Sequence, residues 1–328
     1  MASLHGILLA MKQVLLVALL LLPVVFRGEE PSVKNAVEKA LPYLESEGTW
    51  WIEKKKCVSC HHTSFFVWAK DLALSAGYDV DPATLKEQRE WMIASFLKPV
   101  EPNPEVKDSV EATDEINADR NMEGVAQFLF SPSSQFATTE EKDVLLKSIT
   151  SNQQPNGDWK PGGQLPRQQR PKHETQWTSN QWAQLATKGT PHEPSKPAAI
   201  SKDRSLAKTT EWYALRLIEN PTEKSTELLL TRQQEDGGWA WIDGDSSGPI
   251  ATGMALLALH RSGTGKLYPD AVKKAKSYLV STQLETGEWK TISTKDRSES
   301  TRVSDFWGTT WALIGLLETN AYTEGQTQ

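Results

Sequence analysis

The stretch Gln283-Leu284-Glu285-Thr286-Gly287-Glu288-Trp289 decides how this chain folds, because its spacing occurs three times. Gln-x-x-x-Gly-x-Trp returns at Gln233, Gly237 and Trp239 and at Gln153, Gly157 and Trp159, and a degraded copy keeps Gly48 and Trp50. Each copy follows one stretch of helical periodicity and precedes another. Self-similarity of this kind fixes the architecture before any single residue does. A glycine that adopts positive φ ends a helix without steric penalty. A Trp two residues later folds back as a large apolar cover with one N–H donor. Gln153, Trp159, Gln233, Trp239, Gln283 and Trp289 therefore read as structural residues.

Working outward from these turns, the periodicity predicts about eleven helices and no strand. They fall near residues 36–45, 65–76, 82–97, 121–130, 139–153, 176–187, 206–220, 222–234, 250–262, 269–283 and 304–319. Pro82 follows Asp81 at a first helical position, Gly77 reads as a C-terminal cap, and Thr139-Glu140-Glu141 reads as a helix start. The first helix of each pair carries more charge and suits an outer layer. The second is apolar all round and suits an inner one. A large residue beside Ala recurs on the inner helices, as Trp68-Ala69, Trp182-Ala183, Met254-Ala255 and Trp311-Ala312. Such a pair fits close helix packing about a common axis. The fold class is all-α, an α/α toroid of two concentric layers, with an open solenoid as its rival. The repeats lie near 33–77, 83–131, 139–220, 222–263 and 268–320 in one domain, 29–328. The helices at 176–187 and 206–220 break the alternation by resembling each other.

These turns resemble the QW repeats of squalene–hopene cyclases and related triterpene cyclases, within the terpenoid cyclase–prenyltransferase family. The resemblance spans roughly residues 33–320 and is strongest over 228–317. It implies that each Gln end-caps a neighbouring helix and stacks on its Trp. Cyclases of this type protonate their substrate from an Asp-x-Asp-Asp motif before an inner helix. The nearest run here, Asp243-Gly244-Asp245-Ser246, lacks the third Asp. Gly248, Pro249, Ile250 and Ala251 stand where the acids belong. Class II cyclisation is therefore not expected, and no catalytic residue is assigned. Isoprenoid cyclase-like catalysis stays as the alternative function, with a structural interaction scaffold as a third.

The one chemical motif is Cys57-Val58-Ser59-Cys60-His61. Two thiols at this spacing can add to the vinyl groups of one haem while the next His ligates its iron, giving haem c on Cys57, Cys60 and His61. A zinc site from Cys57, Cys60, His61 and His62 and a simple disulfide remain alternatives. Lys54, Lys55 and Lys56 are expected to lower the thiol pKa values. Loops 160–175, 240–250 and 290–303 should join this segment at one mouth of the toroid. A second axial ligand is sought among His173, His260, Met122 and Met254. His260, at a helix C-terminus, equally suits the dipole there.

Thirteen Trp against eight Phe and six Tyr mark an aromatic bias. Phe65, Phe66, Trp68, Trp177, Trp182, Trp212, Phe306, Trp307 and Trp311 either pack as core or line a pocket for a hydrophobic or planar ligand. Residues 1–28 read as a signal peptide: Lys12, an apolar run over 14–25, then Arg27 and Gly28. Export to the periplasm or beyond is the compartment in which haem c is attached. Removing those two cations takes the net charge from −6 to −8, which argues against nucleic acid as a partner. No later segment is long and apolar enough to span a membrane. Extracytoplasmic redox or ligand binding by a non-cyclising chain is thus the leading expectation.

Overall fold

Several helices form where a cap or a proline starts them. Asp81 accepts from the N–H groups of Ala83 and Thr84 at 3.2 and 3.0 Å, and Pro82 takes the first helical position. Thr138 and Glu141 form a reciprocal capping box one residue ahead of the expected start. Thr222 and Ser225 form another. The computed structural model describes residues 32–58, 62–100, 115–161, 168–196, 198 and 207–324. The leader expected over 1–28 lies outside the described residues, and so do Cys60 and His61.

Eleven α-helices occur among the described residues. They are α1 Val33–Trp50, α2 Thr63–Ser75, α3 Pro82–Leu97, α4 Met122–Phe130, α5 Thr139–Ser151, α6 Lys172–Thr187, α7 Thr210–Glu219, α8 Glu223–Leu230, α9 Pro249–Arg261, α10 Pro269–Thr282 and α11 Arg302–Glu324. The other regular pairings among these residues are isolated bridges, such as Gln153 with Trp159. Burial separates two kinds of helix. In α9 every residue from Pro249 to Leu259 is buried, whereas α10 buries only Ala275 and Leu279.

The apolar helices contact one another in the order α2, α4, α6, α7, α9, α11 and back to α2. The charged helices lie against this closed circuit, α10 touching both α11 and α1. The tightest crossing is α9 on α11. A Cβ on Gly253 would stand 2.1 Å from the Trp311 carbonyl oxygen, so only glycine allows that approach.

The three intact turns share one hydrogen-bond plan. The Trp indole N–H donates to a carbonyl ten residues back on its own outer helix: Trp159 to Ile149 at 2.8 Å, Trp239 to Leu229 at 2.8 Å, Trp289 to Leu279 at 2.7 Å. The Trp backbone N–H donates to an inner helix: to Asn180, Thr252 and Thr309 at 2.9, 3.0 and 3.1 Å. The Gln amide donates to the carbonyl of its own turn glycine and to the next segment round the ring. Gln233 reaches Ala271 on α10 at 2.9 Å, and Gln283 reaches Ala36 on α1 at 2.9 Å. The last repeat therefore clasps the first helix. Gly157, Gly237 and Gly287 have φ of 95, 91 and 100°, as their turn position requires. The Gln acts through these hydrogen bonds.

Two expectations change. The degraded copy is no turn at all: α1 continues through Gly48 to Trp50 and then widens into a π turn, Trp51–Lys55. Leu44 stands where the Gln would be, so the Gln clasp is missing here and Glu47 pairs with Arg302 of α11 instead. The resemblance between α6 and α7 also has a cause. Both belong to the inner circuit and touch directly, with no helix between them among the described residues. Gln153, instead of meeting an outer helix, donates to the Lys196 carbonyl at 2.8 Å.

Candidate functional site

The Cys57 segment leaves the π turn through Lys56, whose φ is 48°. Two side chains hold it. The Trp51 indole N–H donates to the Cys57 carbonyl at 2.7 Å, and the Asn121 amide at the head of α4 donates to the Val58 carbonyl at 3.1 Å. Cys57 is exposed. Enough of the residue is nonetheless covered that burial raises its thiol pKa above the ordinary value. The expected lowering by Lys54, Lys55 and Lys56 is therefore overturned: the ammonium groups stay in solvent, where their field is screened.

His62 is buried, 3% exposed, at the start of α2. Its ring lies between Trp51, centroids 3.5 Å apart, and Phe306 of α11, 4.8 Å, both nearly parallel. With both faces covered, His62 is a packing residue that locks the Cys57 loop onto α11. No group of three or more His, Cys, Asp or Glu side chains poised for a metal ion occurs among the described residues.

The loops ahead of the inner helices meet as the repeat frame predicts. Beside Phe306, Trp307 packs edge-on against Trp241 at 5.8 Å. The Trp241 indole donates to the Gln168 carbonyl at 3.4 Å. Asp245 pairs with Arg297 across loops 240–250 and 290–303. Between these loops lies a cavity of about 680 Å³, walled by Trp241, Asp245, Gly248 to Ala251, Lys290 to Thr294 and Arg297. Sequence reasoning did not single this cavity out; the missing acid motif at 248–251 was its only signal.

The aromatic side chains on the inner helices are core. Phe65, Trp68, Trp182 and Trp311 are each at most 1% exposed. Trp68 meets Trp311 and Phe130 at 6.0 and 5.9 Å, and Phe130 meets Trp182 at 5.8 Å. They interlock with one another. Asp243 and Asp245 pair separately with Arg232 and Arg297. His260 sits in the last turn of α9 beside Glu318, 3.4 Å away. Burial lowers its pKa despite that carboxylate, so the charged form that would suit the dipole is disfavoured. Glu318 stands twelve residues beyond Phe306 on α11, about 18 Å at the helical rise. Met122 and Met254 are buried, and the His173 ring lies tilted against Trp177, centroids 4.6 Å apart.

No family model matches this sequence. A drimenyl diphosphate synthase from Streptantibioticus cattleyicolor is 37% identical over 67 residues. That segment is 20% of this chain and 12% of the synthase's own length, so the chain shares a short stretch with a terpene synthase. A solved polysaccharide lyase aligns with 92% of this chain and 100% of its own, at 13% identity and a TM-score of 0.55. That likeness concerns the fold alone.

Proposed function

We propose that this protein is an exported, non-cyclising relative of the triterpene cyclases that carries haem c on Cys57 and Cys60, with His61 as iron ligand, and acts in extracytoplasmic redox chemistry. Its closed circuit of inner helices is read as an α/α toroid that serves as a scaffold. The observation that carries the proposal is the Cys57 thiol: exposed, on a backbone pinned by Trp51 and Asn121. The chain's own residues would supply attachment and a fixed backbone approach. When bound, the haem supplies reversible one-electron transfer. Zinc held by Cys57, Cys60, His61 and His62 is the alternative cofactor reading.

The test is expression in a periplasm with a haem c maturation system, followed by a haem stain on a denaturing gel. Thioethers survive denaturation; zinc and non-covalent haem do not. We expect a stained band that Cys57→Ser and Cys60→Ser together abolish. A colourless protein overturns the proposal. Terpenoid cyclisation remains the second reading, supported by the stretch shared with the drimenyl diphosphate synthase. The residues at 248–251 offer no acid for it.

A further inference from the structure

We propose that Asn156 is this chain's deamidation site and that the folded turn gates the reaction, so that modification reports opening of the first repeat. Asn156-Gly157 is the one Asn-Gly pair in the sequence. Glycine carries no side chain to hinder attack by its nitrogen on the preceding amide, which makes such a pair chemically labile. Asn156 is exposed, so water reaches it. In the reaction the Gly157 nitrogen loses its proton and bonds to Cγ of Asn156. The Cγ–Nδ2 bond breaks, ammonia leaves and a cyclic imide remains. Water then opens either of the two carbonyl–nitrogen bonds of the imide. The products are aspartate or isoaspartate at position 156.

The folded turn ties up the atoms this needs. The Gly157 N–H donates to the Gln154 carbonyl at 2.8 Å. Oδ1 of Asn156 accepts from the Asp158 N–H at 3.0 Å, and Nδ2 donates to the Asp158 carboxylate at 2.8 Å. Cγ cannot swing onto the Gly157 nitrogen until these bonds break. The surrounding chain holds them in place: the Gln154 N–H donates to the Asp158 carbonyl, the Gln153 amide to the Gly157 carbonyl and the Lys196 ammonium to the Pro155 carbonyl, at 2.8, 2.8 and 2.6 Å. The second turn shows which product the fold accepts. Aspartate already stands there, and Asp236 Oδ1 accepts from the Gly238 N–H at 2.9 Å, the same bond that Asn156 makes with Asp158. Aspartate at position 156 therefore keeps the turn. Isoaspartate inserts a side-chain carbon into the main chain and moves the Gly157 carbonyl off the Gln153 amide, which also holds the Lys196 carbonyl. This proposal is independent of the haem.

The test incubates the full-length protein, folded and in denaturant, in the same mildly alkaline buffer. Mass spectrometry then follows tryptic peptide 148–167, cut after Lys147 and Arg167, for a gain of one mass unit at position 156. We expect the folded protein to react at least about tenfold more slowly than the denatured chain, as a site that must open first does. Gln153→Ala should speed the folded reaction, because the Gly157 carbonyl loses its clasp. Asn156→Asp should melt like the parent, while the isoaspartate fraction separated from aged protein should melt lower. Equal rates in the folded and denatured chains overturn the gate, and that comparison stands should Gln153→Ala fail to fold. A denatured chain unmodified at position 156 overturns the site. Melting of Asn156→Asp as low as that of the isoaspartate fraction overturns the assignment of the tolerated product.

Discussion

The intact turns at Trp239 and Trp289 and the degraded one at Trp50 are the same device with and without its staple. At Trp239 and Trp289 the ring is at most 1% exposed, its indole ends the helix it came from, and Gln233 or Gln283 clasps the next helix. At Trp50 there is no Gln, the helix runs on, and the ring is only half-buried under the Arg302 guanidinium, 3.5 Å above it. The chain freed there enters a π turn and presents Cys57. The difference teaches that the same Gly-x-Trp spacing makes a tight turn only where a Gln clasps the next segment, and lets the helix run on where it does not.

The largest contrast should come from the rings themselves. Trp239→Ala or Trp289→Ala should destabilise by about 3–5 kcal/mol, a large buried aromatic being lost. Trp50→Ala should cost about 1 kcal/mol or less. Denaturant melts compare them; equal losses would break the comparison. Next come the glycines. Gly287→Ala forces a residue to φ of 100° and sets its Cβ 2.2 Å from the Lys39 carbonyl oxygen, for roughly 2–3 kcal/mol. Gly77→Ala, also at positive φ but with nothing within 4 Å, should cost about 1 kcal/mol. Gln233→Ala leaves the Gly237 and Ala271 carbonyls without the amide they share and should cost about 1–2 kcal/mol, by the same melts.

The smallest effect concerns pH. Burial holds the His260 pKa below its ordinary 6.5, so the unfolded chain binds a proton there more readily than the folded one. Stability is then lost as pH falls through 6.5. His260→Gln should flatten that part of a stability–pH profile. A steeper acid limb in the variant would show that the Glu318 contact, not burial, dominates.

Much of the fold was legible because periodicity and caps are local. All eleven helices fall within a few residues of their expected places, and the Gly-x-Trp turns carry their own geometry. What was not legible depends on tertiary contact. Nothing near α6 and α7 reveals that two inner helices follow one another. The continuation of α1 through Gly48 turns on the absent Gln at position 44, a residue whose partner lies on another helix. The aromatic residues could not be assigned to core or pocket until Trp68, Phe130, Trp182 and Trp311 were seen to interlock. The cavity was invisible for the same reason: its walls come from loops 240–250 and 290–303, which only the folded chain brings together.

The most direct test of the central claim is the mass of the tryptic peptide 57–70, cut after Lys56 and Lys70, from protein matured in a haem c-competent periplasm. The account predicts that this peptide carries one covalently bound haem. A peptide bearing two free thiols, or one lighter by two hydrogens through a Cys57–Cys60 disulfide, would contradict it.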